Sequence, residues 1–133
     1  MKWLVDSDFL FALFITKDVH HLKAKAKYFE LNQGGASLLV TNIVIQESAT
    51  VLSKKVSQAV AKKFYRDYPE LGMREVVVEP KIEKLTWDLF MKQREDGISF
   101  IDCVNVVLTK EMGLDGILSF DKFYRQVGIK STS

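Results

Sequence analysis

The segment Lys2-Trp3-Leu4-Val5-Asp6-Ser7-Asp8 joins a short apolar run directly to two acidic residues. Such a run, with an apolar helical pattern behind it over residues 8–15, predicts a buried β-strand followed by a helix. In sheets built from these units, binding sites lie at the carboxyl ends of the strands. Asp6 and Asp8 therefore stand where a functional site is expected, although Asp6 or Ser7 is also suited simply to cap the helix.

The same strand-then-helix pattern continues along the chain. Strands are predicted at 37–40, 75–78 and 116–119, with a short fifth at 126–129, and helices at 20–31, 42–56, 57–69, 80–95 and 99–113. The helix over 20–31 is amphipathic, with Leu22, Ala26 and Phe29 on one face and lysines on the other. This alternation predicts an α/β fold, in which a mostly parallel sheet of four to five strands is covered by helices on both faces.

Length and composition narrow the class of protein. The chain has 133 residues and no linker or repeat, which is enough for one domain and too little for two. A composition of 47% hydrophobic and 27% charged residues is typical of a soluble globular protein and excludes a disordered, collagen-like or coiled-coil chain. The single cysteine, Cys103, excludes an internal disulfide, and no Cys/His cluster suggests zinc. With no apolar run near the ~20 residues of a membrane span and no secretory signal, we expect a cytoplasmic protein without membrane contact.

Positive charge is concentrated in one part of the chain. Between Lys17 and Arg66 there are nine basic and three acidic residues, which gives this stretch a net charge of +6. The rest of the chain therefore carries a net charge of −4, because the whole chain is +2. This imbalance predicts either a surface for a polyanion or an ordinary solvated helix face. The lysines that suit a polyanion best lie in the helical segments over 42–69, at Lys54, Lys55, Lys62 and Lys63.

Glu47 is an acid among apolar helical neighbours. Ile43, Val44 and Val51 stand one turn away from it on the same face. Burial of an unpaired carboxylate costs several kcal/mol. Glu47 therefore needs a cation or a functional role, unless it lies at the margin of the helix.

Asp102 begins a helix that is apolar nearly all round. Ser99 three residues earlier makes a capping box, in which Asp102 bonds back to the backbone, and Asn105 one turn later extends the polar strip. Asp121 follows the predicted strand at 116–119 after a single phenylalanine. Asp96, before Gly97, fits a solvated loop acid, so its place in a site stays open, as does that of Asp8.

Four carboxylates from separate segments are thus expected at one edge of the sheet, and we call them the predicted acid set: Asp6, Glu47, Asp102 and Asp121. Like charges about 5 Å apart repel by ~3 kcal/mol at an effective dielectric of about 20. Such a set calls for cations, and ligands that are all oxygen suit Mg²⁺ or Mn²⁺. Metals held in this way commonly act on phosphate esters.

The ordered segments around these acids resemble the PIN-domain family of metal-dependent ribonucleases, and in particular the VapC-type toxins of toxin–antitoxin pairs. The matching pieces span essentially the whole chain and begin at Leu4-Val5-Asp6, Thr41-Asn42-Ile43, Asp96-Gly97-Ile98 and Leu118-Ser119-Phe120. The piece that runs from Asp96 through Asp102 to Cys103 is the most specific. At the second and third positions after the fourth acid, members of this family commonly have His or Asp and then Phe. Here Asp121 is followed by Lys122-Phe123-Tyr124, so the chain departs from the family at this point.

The resemblance implies a single PIN-like domain over residues 1–133 with three α/β/α layers. It also implies an endoribonuclease that hydrolyses single-stranded or structured RNA with metal-activated water. The predicted acid set would be both catalytic and metal-binding, with Ser7, Ser119 and Asn105 as supporting polar groups and the four lysines on RNA. The implied partners are a cognate antitoxin and a second copy of the chain.

Two other functions fit parts of the same pattern. Asp6-Ser7-Asp8 after a strand resembles the Asp-x-Asp pair of haloacid-dehalogenase-type phosphatases, but Phe9-Leu10 replaces the usual Gly-Thr and the late acid pair is missing. A catalytically inactive PIN-like module that binds RNA or protein is the other alternative. The complete set of four acids disfavours it, because a module without catalysis has no need of them.

Overall fold

Strand β1 (Lys2–Val5) lies inside a four-stranded, all-parallel sheet. The computed structural model describes residues 1–132 of the chain. β1 pairs with β2 (Ser37–Thr41) on one side and with β4 (Gly116–Leu118) on the other. β3 (Arg74–Val76) lies beyond β2, so the strand order is β3-β2-β1-β4. β2 and β3 are added on one side of β1, whereas β4 is added on the other side. This change of side places a topological switch point between β1 and β4, beside Asp6.

Helices cover both faces of this sheet. They are α1 (Ser7–Phe14), α2 (His21–Gln33), α3 (Asn42–Lys55), α4 (Gln58–Asp67), α5 (Pro80–Met91), α6 (Phe100–Glu111) and α7 (Phe123–Gln126), with a 3₁₀ helix at Tyr68–Leu71. Alternate residues of β1 point to opposite faces. Val5 packs with residues of α1 to α4, whereas Leu4 packs with residues of α6 and α7. The three-layer α/β/α fold is confirmed, and within residues 1–132 every helix falls short of the length and apolarity that a membrane span requires.

Side-chain caps fix where several helices begin. Thr41 accepts a hydrogen bond from the backbone of Val44 at 3.1 Å, and Ser57 accepts one from Val60 at 3.1 Å. Ser99 and Asp102 form the predicted capping box in full, with bonds of 3.0 and 2.9 Å. These caps start α3, α4 and α6 directly after the chain leaves a strand or loop.

The predicted fifth strand at 126–129 is wrong. Residues Phe123–Gln126 form α7, and Gly128 has a positive φ of 81°, which turns the backbone out of the extended conformation. The chain reaches the sheet only afterwards, where Ser131 makes an isolated parallel bridge to Ile117. Over residues 1–132 the sheet therefore has four strands.

The predicted apolar face of the second helix is also wrong. In α2 the buried residues are Ala24 and Leu31, whereas Leu22 is 78% and Phe29 is 62% exposed. The inward stripe also includes Tyr28, whose hydroxyl donates to the carbonyl of Leu71 at 2.8 Å. Apolar residues lie at helical spacing on two faces of α2. The face that includes Tyr28 is the one that packs inward, because it contacts the neighbouring 3₁₀ helix.

Candidate active site

Asp6 lies at the point where β1 ends between its two neighbouring strands. Its backbone N–H donates to Leu118 of β4 at 3.0 Å, which extends the sheet by one residue. Its side chain caps α1, since Oδ1 accepts from the backbone N–H of Ser7 at 2.8 Å. The residue is only 5% exposed. Asp6 therefore caps the helix as predicted, but capping uses only part of the hydrogen-bonding capacity of its carboxylate.

Three buried side chains from distant segments also bond to Asp6. Asn105 Nδ2 donates to Oδ1 at 3.1 Å, and both Ser119 Oγ and Tyr124 Oη donate to Oδ2 at 3.0 Å. Each carboxylate oxygen of Asp6 therefore accepts two hydrogen bonds. Because these donors come from α6, the end of β4 and α7, the fold holds this carboxylate in one orientation.

Three further aspartates surround Asp6, and the four form what we call the acid cluster: Asp6, Asp8, Asp102 and Asp121. Asp8 Oδ2 accepts from the backbone N–H of Phe120 at 2.9 Å and lies 3.3 Å from Ser119 Oγ. Asp102 Oδ2 serves the capping box, and Asp102 Oδ1 lies 3.3 Å from Tyr124 Oη. Asp121 is exposed and accepts from the backbone N–H of Phe123 at 2.9 Å. The structure thus places Asp8 beside the predicted acids, and it places Asp102 both in the capping box and close to Asp6.

The acid cluster shifts the protonation of its members. Burial, followed by the charge of Asp8, raises the pKa of Asp6 to about 7. Burial raises the pKa of Asp8 to about 6, with the charge of Asp121 contributing. Burial also raises the pKa of Asp102, against the lowering effect of its bonds to Ser99. Among residues 1–132, none of these four acids forms an ion pair with a basic side chain, so their negative charges lie close together without a paired cation from this part of the chain.

Tyr124 is the member of the site that sequence analysis missed. It is fully buried, and its hydroxyl accepts from Asn105 Nδ2 at 3.0 Å. Burial and the charges of Asp6 and Asp102 raise the pKa of this phenol, so it keeps its proton. That one proton is within reach of both Asp6 and Asp102, and it bonds to one of them at a time. The only signal in the sequence is a hydroxyl three residues after Asp121, next to the apolar Phe123.

The predicted supporting groups differ in their contacts. Ser119 and Asn105 are fully buried and bond directly to Asp6. Ser119 Oγ also accepts from the backbone N–H of Asp121 at 3.0 Å, so it links three acids. Ser7 donates its backbone N–H to Asp6 and is one of the residues that line a neighbouring cavity. Asn105 Oδ1 is buried without a hydrogen-bond partner among residues 1–132.

Glu47 and Asp96 stand apart from the acid cluster. Glu47 is half-buried in α3, which begins where β2 ends, at the same edge of the sheet. Within the described residues it makes no hydrogen bond or ion pair to another acid or to a base. Asp96 is exposed in the turn before α6 and likewise has no such contact in that part of the chain. The structure brings together three of the predicted acid set, and Glu47 lies at the same edge without joining them.

The donor set is suited to a hard cation, although it does not form a closed cage. No three Asp, Glu, His or Cys side chains within residues 1–132 are grouped closely enough to hold a metal ion by themselves. Asp8 Oδ1 is nevertheless buried without a hydrogen-bond partner in the same range, beside carboxylates whose pKa values are raised. Magnesium is commonly bound by one or two carboxylates together with water and substrate phosphate. The residues present fit that mode of binding.

The predicted RNA-binding lysines lie on the surface of α3 and α4, and we call them the lysine face: Lys54, Lys55, Lys62 and Lys63. All four are exposed. Lys63 pairs with Asp67 at 2.6 Å, and among residues 1–132 the other three have no ion pair. Lys55 lines the cavity that Asp8 also lines, so the lysine face reaches the acid cluster at one end.

Comparison with known proteins gives three findings. A family model described as PIN domain matches residues 3–130. A protein named VapC ribonuclease from Archaeoglobus fulgidus is 28% identical over 124 residues, which cover 91% of this chain and 78% of that protein. The crystal structure of Mycobacterium tuberculosis VapC20, described as a sarcin–ricin loop cleaving toxin, superposes with a TM-score of 0.84 over 98% of this chain and 97% of that one. At 21% identity this last likeness supports the fold alone.

Proposed function

The chain belongs to the PIN-domain family, and we propose that it is a metal-dependent endoribonuclease that acts as the toxin of a toxin–antitoxin pair. The relative named VapC ribonuclease supports the activity. The observation that carries the proposal is the environment of Asp6. A buried carboxylate at a topological switch point accepts four hydrogen bonds and stands among three other acids.

We infer that Mg²⁺ or Mn²⁺ binds at this edge of the sheet, with Asp6, Glu47, Asp102 and Asp121 as ligands directly or through water and with Asp8 beside them. When bound, such a cation neutralises phosphate charge and lowers the pKa of coordinated water. The all-oxygen donors and the unpartnered Asp8 Oδ1 favour a hard cation over zinc. Glu47 would reach the same cation from α3, because α3 begins where β2 ends and β2 is the strand beside β1.

Other residues of the chain would orient the acids, exchange a proton and bind the RNA. Asn105, Ser119 and Tyr124 orient Asp6, and the capping box orients Asp102. Burial raises the pKa of Asp8 to about 6, which suits a group that exchanges a proton with a reacting water. The lysine face would contact the phosphates of single-stranded or structured RNA, because exposed unpaired ammonium groups bind a polyanion by releasing counterions.

Partners and location follow from the same proposal. A toxin of this kind acts in the cytoplasm, where its RNA substrate is found, and is held inactive by a cognate antitoxin protein. We also predict a homodimer and a single domain over residues 1–133. Size-exclusion chromatography with light scattering measures the oligomeric state, and co-expression with the product of the adjacent reading frame measures inhibition.

The decisive experiment is cleavage of a labelled single-stranded RNA with Mg²⁺, with Mn²⁺ and with excess EDTA. We expect cleavage with either metal, none in EDTA, and products that carry a 5′-phosphate. Asp6→Asn purified in the same way should be inactive. Asp88→Asn, an exposed acid on α5, is the matched control and should cleave at the wild-type rate.

The two alternatives give different outcomes in this experiment. A catalytically inactive module would bind the RNA and leave it intact with every metal. A phosphatase of the haloacid-dehalogenase type would release phosphate from a phosphomonoester without cutting the chain. Wild-type cleavage in excess EDTA would overturn the metal-dependent mechanism.

A further inference from the structure

A cavity of about 290 Å³ opens beside the acid cluster, between α1 and α3. We propose that it binds one nucleotide of the RNA substrate, adjacent to the bond that the acid cluster cleaves. The proposal rests on the proposed function, since the cavity shares Ser7 and Asp8 with that site. Its volume lies just below the ~300–1,000 Å³ of small-molecule sites, which suits a single nucleotide better than a larger ligand.

The wall that α3 contributes contains a polar atom with no partner. Ser48 is 2% exposed, and its hydroxyl makes no hydrogen bond within residues 1–132. Asp8 Oδ1, on the opposite wall, is also buried without a partner in that part of the chain. A buried polar atom that is left unpaired lowers the stability of the fold. Because Ser48 and Asp8 both line this cavity, each of the two unpaired atoms belongs to a residue that a bound ligand would contact.

The other walls suit a base and a phosphate. Phe11 lines the cavity, and the imidazole of His20 stacks on Phe120 with ring centroids 4.1 Å apart and planes 9° apart. Aromatic and imidazole rings of this kind stack on the bases of single-stranded RNA. The Lys55 ammonium lies 5.8 Å from the Phe11 ring centroid and has no acidic partner among the described residues, so it is available to a phosphate.

The charges of the cavity distinguish a nucleotide from a simple anion. Asp8 and Asp18 both line it, so a small anion inside would meet two carboxylates. A nucleotide avoids this conflict, because a neutral base fills the cavity while its phosphate lies on the exposed Lys55. The chemistry therefore favours a nucleotide of the polymer over free phosphate.

The test measures binding without cleavage. The affinity of a fluorescently labelled single-stranded RNA octamer is measured in EDTA for wild type, Ser48→Ala, Lys55→Ala and Lys54→Ala. Lys54→Ala is the matched control, because it removes the same charge from the next residue, which does not line the cavity. We expect Ser48→Ala to weaken binding about 5-fold, and Lys55→Ala to weaken it at least about 5-fold more than Lys54→Ala.

Stability supplies a second readout that a structural role of Ser48 would not reproduce. Removal of an unpaired buried hydroxyl should leave the melting temperature of Ser48→Ala equal to or above that of wild type, while RNA affinity falls. Equal affinities for Lys55→Ala and Lys54→Ala, together with wild-type affinity for Ser48→Ala, would overturn the proposal. If RNA is then still cleaved with Mn²⁺, the nuclease function stands and only the nucleotide site fails.

Direct occupancy is tested with nucleoside 5′-monophosphates and inorganic phosphate at millimolar concentration, followed by amide chemical shifts. We expect the nucleotides to shift the signals of Phe11, Ser48 and Lys55, and inorganic phosphate to leave them in place. Equal shifts with inorganic phosphate would identify an anion site and contradict the proposal.

Discussion

The acid cluster and the lysine face differ in how tightly the protein holds their charges. Asp6 is buried and accepts four hydrogen bonds, and Asp102 is held by a capping box. The four lysines are exposed, and only Lys63 of the lysine face has an ion pair within residues 1–132. Bond cleavage needs fixed groups, whereas attraction of a polyanion acts over several ångströms and tolerates mobile ones. Single changes in the acid cluster should therefore have larger effects than single changes in the lysine face.

The largest effect is expected from removal of one charge at the site. Asp6→Asn, Glu47→Gln and Asp102→Asn should each lower the single-turnover cleavage rate at least ~100-fold, because each removes charge that would hold the proposed cation. Rapid-quench assays at saturating Mn²⁺ measure this, with Asp88→Asn as the control. A wild-type rate for Glu47→Gln would remove Glu47 from the site and leave the acid cluster as its only acids.

The second effect concerns stability without metal. The pKa of Asp6 is raised to about 7 and that of Asp8 to about 6, above the unfolded value of about 4. Between these values the folded state binds more protons than the unfolded state, so the free energy of unfolding should fall as pH rises from 5 to 7. We expect a fall of more than ~1.4 kcal/mol, the equivalent of one pKa unit. Urea unfolding in EDTA at a series of pH values measures it.

Two additions sharpen this test. Asp6→Asn should flatten the pH dependence, because it removes one of the crowded carboxylates. Mn²⁺ at a hundredfold excess over its Kd should stabilise wild type by roughly 2.7 kcal/mol. Stability that rises with pH through this window in wild type would contradict the picture of unrelieved repulsion.

The third effect is expected at Tyr124, whose hydroxyl lies within hydrogen-bond distance of both Asp6 and Asp102. Tyr124→Phe removes the hydroxyl bonded to Asp6 and Asn105 and keeps the buried ring. We expect a cleavage rate about 10-fold lower, weaker Mn²⁺ binding by calorimetry, and a loss of ~1 kcal/mol in stability. Tyr65→Phe, at an exposed position of α4, is the matched control. Unchanged Mn²⁺ affinity would limit the Tyr124 hydroxyl to a structural role.

The smallest effect for each residue is expected on the lysine face. Replacement of Lys54, Lys55, Lys62 and Lys63 by alanine should weaken RNA binding and reduce the salt slope of the affinity by roughly 2–3, at about 0.7 for each phosphate contact with a single strand. Lys81 and Lys84 in α5, Lys92 directly after it and Lys110 in α6 are all exposed, and they provide a control with the same change in charge. An equal effect in both quadruple variants would show that only net charge matters.

Local signals in the sequence predicted much of the fold. The strands at β1, β2 and β4 and the caps at Thr41, Ser57 and Ser99 were all predicted within about one residue of their observed positions. A cap needs a side chain and a backbone N–H only two or three residues apart, so its geometry depends on few neighbours. The errors, in the fifth strand and in the exposed face of α2, arose where a short or ambiguous pattern depended on what packs against it.

For the site, the sequence alone determined which acids follow strands and begin helices: Asp6, Asp102 and Asp121, with Glu47 in α3. Tertiary structure alone decided which of them meet and what holds them. Tyr124 and Ser119 reach Asp6 from more than a hundred residues away, and Asp8 joins them through the backbone of Phe120. The order β3-β2-β1-β4 makes these contacts by placing β4 next to β1. Strand order depends on how whole faces pack and not on residues close in sequence, so no local pattern encodes the partners of a buried carboxylate.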